Sequence, residues 1–336
     1  MTKILYVGNK LSKHGVTPTS VETLGVQLTE FCEVVSVSDK RNKAARMFDM
    51  VFAVIKNRKM DYVIIDTYST SNFYFAYIAA LLCIILKIKY IPILHGGNLP
   101  ARLKRSPRMS KRVFGHSYIN VAPSEYLNHE FKQQGFDNNI TIPNNIHIGD
   151  YAFKKRISFK PKLLWVRSFD KTYNCEMAVE VLRILLHQYP YAELCMVGPA
   201  KDDSMQNVKD LAEQYGITGH LTITGKLSKA DWHKLSENYD IFISTTNFDN
   251  TPVSVIEAMA LGLPVVSTNV GGVPYLLSDG YDSLLCEKGN AGDMVQKIVR
   301  LISAPENTAE ICANARHKVE QFDWDVVKKQ WKKILK

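Results

Sequence analysis

The stretch from 239 to 275, YDIFISTTNFDNTPVSVIEAMALGLPVVSTNVGGVPY, constrains the fold more tightly than any other part of the chain. It reads as strand, loop, helix, strand, loop. Residues 241–244 form a short apolar strand, and the polar loop after it ends at Thr251-Pro252, where threonine can cap a helix and proline suits its first position. The pattern predicts a helix starting near Val253, running through Ile256, Glu257, Ala258 and Met259 and stopping at Gly262, before Pro264-Val265-Val266 resumes an apolar strand. In an open α/β sheet both loops then fall at the strand ends where ligands bind. A helix start carries unpaired N–H groups and a partial positive charge, which makes it a natural phosphate seat.

Two acids flank that seat, Asp249 in the loop and Glu257 one turn inside the helix, with seven residues between them. Helical side chains tilt toward the N-terminus. Glu257 can therefore lean back beside a docked diphosphate and accept hydrogen bonds from a vicinal diol such as a ribose, while Asp249 is better placed for sugar hydroxyls. Taken alone, the pair reads more readily as solvated or capped carboxylates on an ordinary strand-helix-strand unit, because charged residues on helices usually face water.

A chain of 336 residues exceeds the usual single core, so two domains of about 150 residues are expected. Residues 4–7, 33–37, 62–66, 90–94 and 118–121 read as strands separated by helical segments, which implies a parallel sheet covered on both faces. The second half repeats the rhythm from residue 162 on, after a polar, basic segment at 147–161 that reads as a linker. The first loop, residues 8–17, carries Gly8 and Gly15 but not the G-x-G-x-x-G spacing, which argues against a nicotinamide enzyme. The six cysteines are scattered with no C-x-x-C pair, and the opening MTKILYVGNK enters a strand with no export segment ahead of it. A cytoplasmic protein is expected. The apolar run from 73 to 86 has 14 residues, short of the ~20 that span a bilayer, and reads as a buried helix covering the sheet.

The net charge of +9 lies almost wholly in residues 1–150, which hold 19 Lys and Arg against 11 Asp and Glu; the remainder holds 23 against 22. Six of those cations, Arg102, Lys104, Arg105, Arg108, Lys111 and Arg112, follow one another closely. Such a cluster is a solvated helix face or a surface for anionic headgroups or a diphosphate-linked acceptor. Nucleic acid is disfavoured, since no nucleic-acid module or aromatic-studded strand accompanies the charge.

The combined string DNTPVSVIEAMALGLPVV resembles the signature of the retaining family 4 glycosyltransferases: an acid, seven residues, a glutamate, then a helix ending Ala-Met-Ala-x-Gly-x-Pro-Val-Val. The resemblance implies the GT-B fold, an α/β arrangement of two Rossmann-like domains facing each other across a cleft, with a C-terminal helix crossing back to the N-terminal domain. The expected boundaries are 1–150 for an acceptor-side domain, 151–320 for a nucleotide-sugar domain and 321–336 for the terminal helix. It further implies that Glu257 holds the ribose of the donor and Asp249 lies near the transferred sugar. Thr251, Pro252 and Val253 then seat the diphosphate and Arg167 with Lys171 clamps it. His95 reaches the donor sugar, backbone at Gly15 approaches the ligands, Gly198 turns at the ligand edge, and Leu227 contacts the base. By residue type alone a lone His95 is more often structural, a balance that its place at a strand end beside glycines evens, and Gly15 reads equally as a flexible turn.

The chain departs from the family pattern in four places. Asp249 stands where Glu is usual, Tyr275 follows a Gly-Gly loop where many relatives carry a glutamate, the gap between Arg167 and Lys171 is one residue shorter, and Val166 replaces a glycine. Asp202-Asp203 and Asp323-Trp324-Asp325 resemble metal-carboxylate runs but read as helix-start acids, so no metal and no cofactor is expected. The donor implied is a UDP- or GDP-linked sugar, the acceptor a glycan or lipid-linked hydroxyl. A peripheral position on the inner face of the membrane is compatible with the basic first half. The alternatives are a non-catalytic nucleotide-sugar-binding protein and a polyanion-binding adaptor.

Overall fold

A computed structural model describes residues 1–15 and 18–336. Val16 and Thr17, the end of the expected first loop, lie outside the described residues. The chain divides into two compact units, Met1–Pro143 with Asp325–Lys336, and Asn144–Trp324.

The first unit is built on β1 (Thr2–Val7), β2 (Cys32–Val37), β3 (Tyr62–Tyr68), β4 (Lys89–His95), β5 (Asn120–Ala122) and β6 (Asn139–Thr141). They form one sheet in the order β2-β1-β3-β4-β5-β6, and every pairing is parallel. Parallel neighbours need crossovers. These are the helices α1 (Ser20–Gln27), α2 (Lys43–Lys56), α3 (Phe73–Leu86), α4 (Leu99–Arg105), α5 (Pro107–Phe114) and α6 (Glu125–Gln133). Because both sheet faces are covered, successive side chains of β1 from Ile4 to Val7 are all buried. The helix α2 starts cleanly because Asn42 Oδ1 accepts from the backbone of Ala44 and Ala45 at 2.9 and 3.1 Å.

The run at 73–86 departs from expectation. Phe73, Ala76, Ala79, Ala80 and Cys83 of α3 are buried, but Tyr74 and Ile85 are 50% and 72% exposed. A helix that is apolar all round has more apolar surface than one sheet can cover. Among the described residues no helix is long and apolar enough to cross a membrane.

The second unit repeats the plan with β7 (Lys162–Val166), β8 (Glu193–Val197), β9 (Leu221–Gly225), β10 (Ile241–Ser244), β11 (Val265–Thr268) and β12 (Leu284–Cys286), ordered β12-β11-β10-β7-β8-β9 and again parallel. Its helices are α7 (Cys175–Gln188), α8 (Ser204–Gln214), α9 (Lys229–Ser236), α10 (Val253–Ala260), α11 (Val273–Leu276), α12 (Ala291–Ser303) and α13 (Pro305–Glu320). Residues 147–161 belong to this unit and, though largely exposed, anchor it through the buried Tyr151, Arg156 and Phe159. Arg156 is 6% exposed and donates to the carbonyls of Ser236, Tyr239 and Gly262 at 3.2, 3.0 and 2.8 Å. Those carbonyls lie at or just past the ends of α9 and α10, where backbone acceptors lack helical partners and a cation is favoured. A basic composition that looks solvated is here recruited to close two helices.

The last helix, α14 (Trp324–Ile334), belongs with the first unit from Asp325 on. It buries Val327 and Trp331. Lys328 pairs with Glu30 at 2.9 Å, and Thr2 and Tyr62 donate to the carbonyls of Leu335 and Lys336 at 3.3 and 3.0 Å. All six cysteines are free and buried.

Candidate functional site

In a parallel sheet the strand ends leave their backbone groups unpaired at one edge, and the loops that follow must satisfy or present them. In the second unit this edge is drawn together by hydrogen bonds between loops distant in sequence. Arg167 extends the ladder beyond β7, its N–H donating to the Val197 carbonyl at 3.0 Å. Lys171 opens a single turn capped by Asp170, whose carboxylate accepts from Thr172 N at 2.9 Å. Asp202 accepts from the backbone of Lys171 and Ser204 at 3.0 and 2.9 Å. The hydrogen bonds from Ser204 and Lys171 hold its carboxyl below the ordinary value. The loop after β10 is fastened to the same turn, since Asn247 N donates to Thr172 O at 2.8 Å and Asn247 Nδ2 to Lys171 O at 3.1 Å.

The side chains that converge here are charged. The Arg167 guanidinium pairs with the Asp249 carboxylate and lies 4.8 Å above the Tyr173 ring. Its Nε is buried without a hydrogen-bond partner. Lys171 is exposed. Two residues beyond Asp249, Thr251 Oγ1 is likewise buried and unpartnered. This corrects the capping expected from the sequence. Pro252, extended at φ −68° and ψ 108°, is itself the N-cap of α10, so Thr251 lies one residue too far out to accept from the first turn.

Glu257, one turn into α10, is 4% exposed. The Tyr151 hydroxyl donates to its Oε1 at 2.9 Å, and Lys229 Nζ approaches the same oxygen at 2.6 Å. Burial and the nearby carboxylate push the Tyr151 hydroxyl far above its ordinary pKa. The His233 ring on α9 lies tilted against that of Tyr151, 4.8 Å between centroids; burial lowers its pKa, against the pull of Glu257. Sequence reasoning missed Tyr151, Lys229 and His233. Tyr151 lies 106 residues from Glu257 in a segment that reads as linker, and no local pattern marks it.

Glycines close the edge. A Cβ on Gly198 would lie 1.7 Å from the Arg167 carbonyl, and one on Gly272 would lie 2.1 Å from the Asn250 carbonyl. The loops after β8 and β11 therefore approach the backbone that carries Arg167 and Asp249 too closely for any side chain. Gly198→Ala is expected to unfold the second unit or to lower the melting temperature by ten degrees or so, on the order of several kcal/mol, in a thermal melt of the intact chain. Leu227, just past β9, packs half-buried against the α10 core.

The remaining candidates lie in the first unit. His95 ends β4, stacks on Tyr68 at 5.0 Å and meets Asp66 Oδ1 through Nε2 at 2.8 Å. Tyr6 donates to the same oxygen at 3.0 Å. Gly15 closes a short turn after residues 12–14 at φ 79°, exposed, with open space where a Cβ would be. Thus the fold brings Arg167, Lys171, Gly198, Asp249, Thr251, Pro252, Val253 and Glu257 to one sheet edge, with Leu227 flanking it, and sets His95 and Gly15 in the other unit.

Residues 150–318, just over half of the chain, match the model of the glycosyl transferases group 1 family. The chain belongs to that family. An uncharacterized glycosyltransferase of Haemophilus influenzae is 28% identical over 158 residues, 47% of this chain and 44% of the relative. A phosphatidyl-myo-inositol mannosyltransferase of Mycolicibacterium smegmatis is 23% identical over 198 residues, 57% of this chain and 50% of the relative. The chain thus spans about half the length of these curated relatives. Among solved structures, Anabaena Alr3699/HepE in complex with UDP superposes with a TM-score of 0.80 at 16% identity, covering 100% of this chain and 99% of that one. The two parallel six-stranded sheets with their flanking helices are the GT-B fold, in a chain of the group 1 family.

Proposed function

We propose that the chain transfers a sugar from a nucleotide-diphosphate donor to a hydroxyl of a glycan or lipid-linked acceptor, with retention at the anomeric carbon and without a metal ion. The observation that carries the reading is the edge of the second sheet. There a guanidinium, an unpartnered buried hydroxyl and the start of α10 sit together with a buried carboxylate one turn along.

In the proposed reaction the bond between C1 and the diphosphate oxygen breaks as a bond from the acceptor oxygen to C1 forms on the same face. The acceptor proton passes to the departing phosphate oxygen. Negative charge grows on that diphosphate, where Arg167, Lys171 and the first amides of α10 stabilise it more in the transition state than in the ground state. Thr251 Oγ1 supplies one further donor. Glu257 takes the ribose hydroxyls, and Asp249 orients the sugar. Gly198 shapes the phosphate loop and Leu227 lies against the base. A uridine or guanosine diphosphate is the expected nucleotide; the Anabaena neighbour was solved with UDP. Synthesis of a cell-surface polysaccharide or glycolipid on the cytoplasmic side of a membrane is the setting that such a donor and acceptor imply.

The test is a thermal-shift screen of nucleoside diphosphates on the intact chain, followed by donor turnover with the one that binds. A ligand selective for the folded state at a hundredfold above its Kd stabilises by about 2.7 kcal/mol, which is a shift of several degrees. No shift with any nucleoside diphosphate would overturn the reading. A shift without transfer or hydrolysis of the matching nucleotide-sugar would leave a binding protein.

A further inference from the structure

At the C-terminal edge of the first sheet, where a parallel sheet receives its ligands, one carboxylate is arranged in a way that stability does not explain. Asp66, near the end of β3, has a fully buried side chain. Its Oδ1 is used twice: the Tyr6 hydroxyl of β1 donates to it at 3.0 Å, and His95 Nε2, at the end of β4, lies 2.8 Å away. Its Oδ2 is buried with no hydrogen-bond partner among the described residues. That oxygen lies against Gly8, where a Cβ would come within 2.5 Å of it, so only a residue without a side chain leaves the carboxylate its place. Taking a carboxylate out of water is costly unless hydrogen bonds replace the water, and one served on a single oxygen does little to hold a fold together.

The arrangement does fix an imidazole. A carboxylate accepts, so Nε2 carries the proton and a neutral His95 keeps Nδ1 bare. The Tyr68 ring stacks on the imidazole, 5.0 Å between centroids and 24° between planes, and restrains its rotation. Nδ1 makes no hydrogen bond among the described residues and is not enclosed, the side chain being 11% exposed. A held, accessible ring nitrogen with its proton on the far side is an acceptor for a hydroxyl, the group every sugar offers.

We propose that Asp66 is a positioning residue, which fixes His95 so that Nδ1 accepts a hydrogen bond from a hydroxyl of a sugar substrate. Tyr6, which shares Oδ1, steadies the carboxylate in turn. The inference rests on the transfer reaction proposed above. Its variants are Asp66→Asn, which keeps an acceptor for Tyr6 and removes the charge, together with Asp66→Ala, His95→Ala and the double Asp66→Asn with His95→Ala.

In the intact wild type the His95 Nε2 proton, sheltered by its hydrogen bond, should give a resolved downfield proton resonance that disappears in Asp66→Ala and in His95→Ala. The kcat of transfer should fall about tenfold or more in Asp66→Asn, the effect of a charged hydrogen bond lost from a buried site. Made in the His95→Ala background, the same change should cost almost nothing further, because residues that act through one another are not additive. A carboxylate that only supported the fold would give losses that multiply. Donor hydrolysis without acceptor locates the hydroxyl: a loss there as well as in transfer assigns it to the donor, and a loss in transfer alone assigns it to the acceptor.

A His95 resonance that survives in Asp66→Ala overturns the inference, as do turnover in Asp66→Asn within about twofold of the wild type and losses that multiply in the double variant. Should Asp66→Ala fail to fold, the kinetics of the Asn variants decide alone. A nucleoside-diphosphate thermal shift reports separately on the second unit. Its absence in the wild type overturns the reading of the whole chain, whereas the shift intact with unchanged turnover in Asp66→Asn overturns the role of Asp66 alone.

Discussion

Alanine at both Arg167 and Lys171 is expected to slow sugar transfer by about three orders of magnitude, with kcat and kcat/KM falling together. Removing a single preorganised donor from a developing oxyanion costs about a hundredfold to a thousandfold, and an interaction made mainly in the transition state lowers both constants alike. Arg167 is already held by the Asp249 carboxylate and the Tyr173 ring, so little reorganisation is needed when charge develops beside it. Lys171 is held through its backbone by Asp202 and Asn247, which leaves its ammonium to close on the diphosphate. Steady-state kinetics with a matched melting curve decide the matter. Turnover within tenfold of the wild type would remove both cations from the chemistry.

The second large effect concerns Glu257. Glu257→Ala should weaken nucleoside-diphosphate binding by about tenfold to a hundredfold, the range for a charged hydrogen-bond pair lost from a buried site. It should also destabilise the second unit by about 1–3 kcal/mol, because the Tyr151 hydroxyl loses its acceptor. Lys229 adds little to that cost, since it is 68% exposed and its ammonium returns to water. Tyr151→Phe separates the two roles: it removes the supporting hydrogen bond and leaves the carboxylate. Calorimetric titration should find affinity near wild type in Tyr151→Phe and lost in Glu257→Ala. If both bind alike, Glu257 is a structural carboxylate.

The sheet-helix-sheet unit around Glu257 was legible because its signals are local. An apolar run at 241–244, a helix closed at Gly262 and the run from Pro264 leave few other ways to arrange that stretch. The cap was misplaced by one residue because proline's fixed φ of −68° suits the first helical position as well as the one before it, and only its ψ of 108° decides which. The surroundings of Glu257 were not legible at all. Tyr151 and Lys229 reach it from two other parts of the chain, with His233 beside Tyr151, and pairing over that separation leaves no periodic trace. The apolar run at 73–86 shows the opposite failure. Without polar residues on any side, its pattern cannot say which face meets the sheet, and the outward face came to light only in the fold.

The first unit is assembled from both ends of the chain, its β1 and β3 hydrogen-bonding residues that follow α14. During synthesis, then, the half translated first is the half finished last. The second unit has every residue it needs once Trp324 has left the ribosome, while the earlier sheet waits for a dozen residues still to come. Until they arrive, Thr2 and Tyr62 have no carbonyls at Leu335 and Lys336 to donate to.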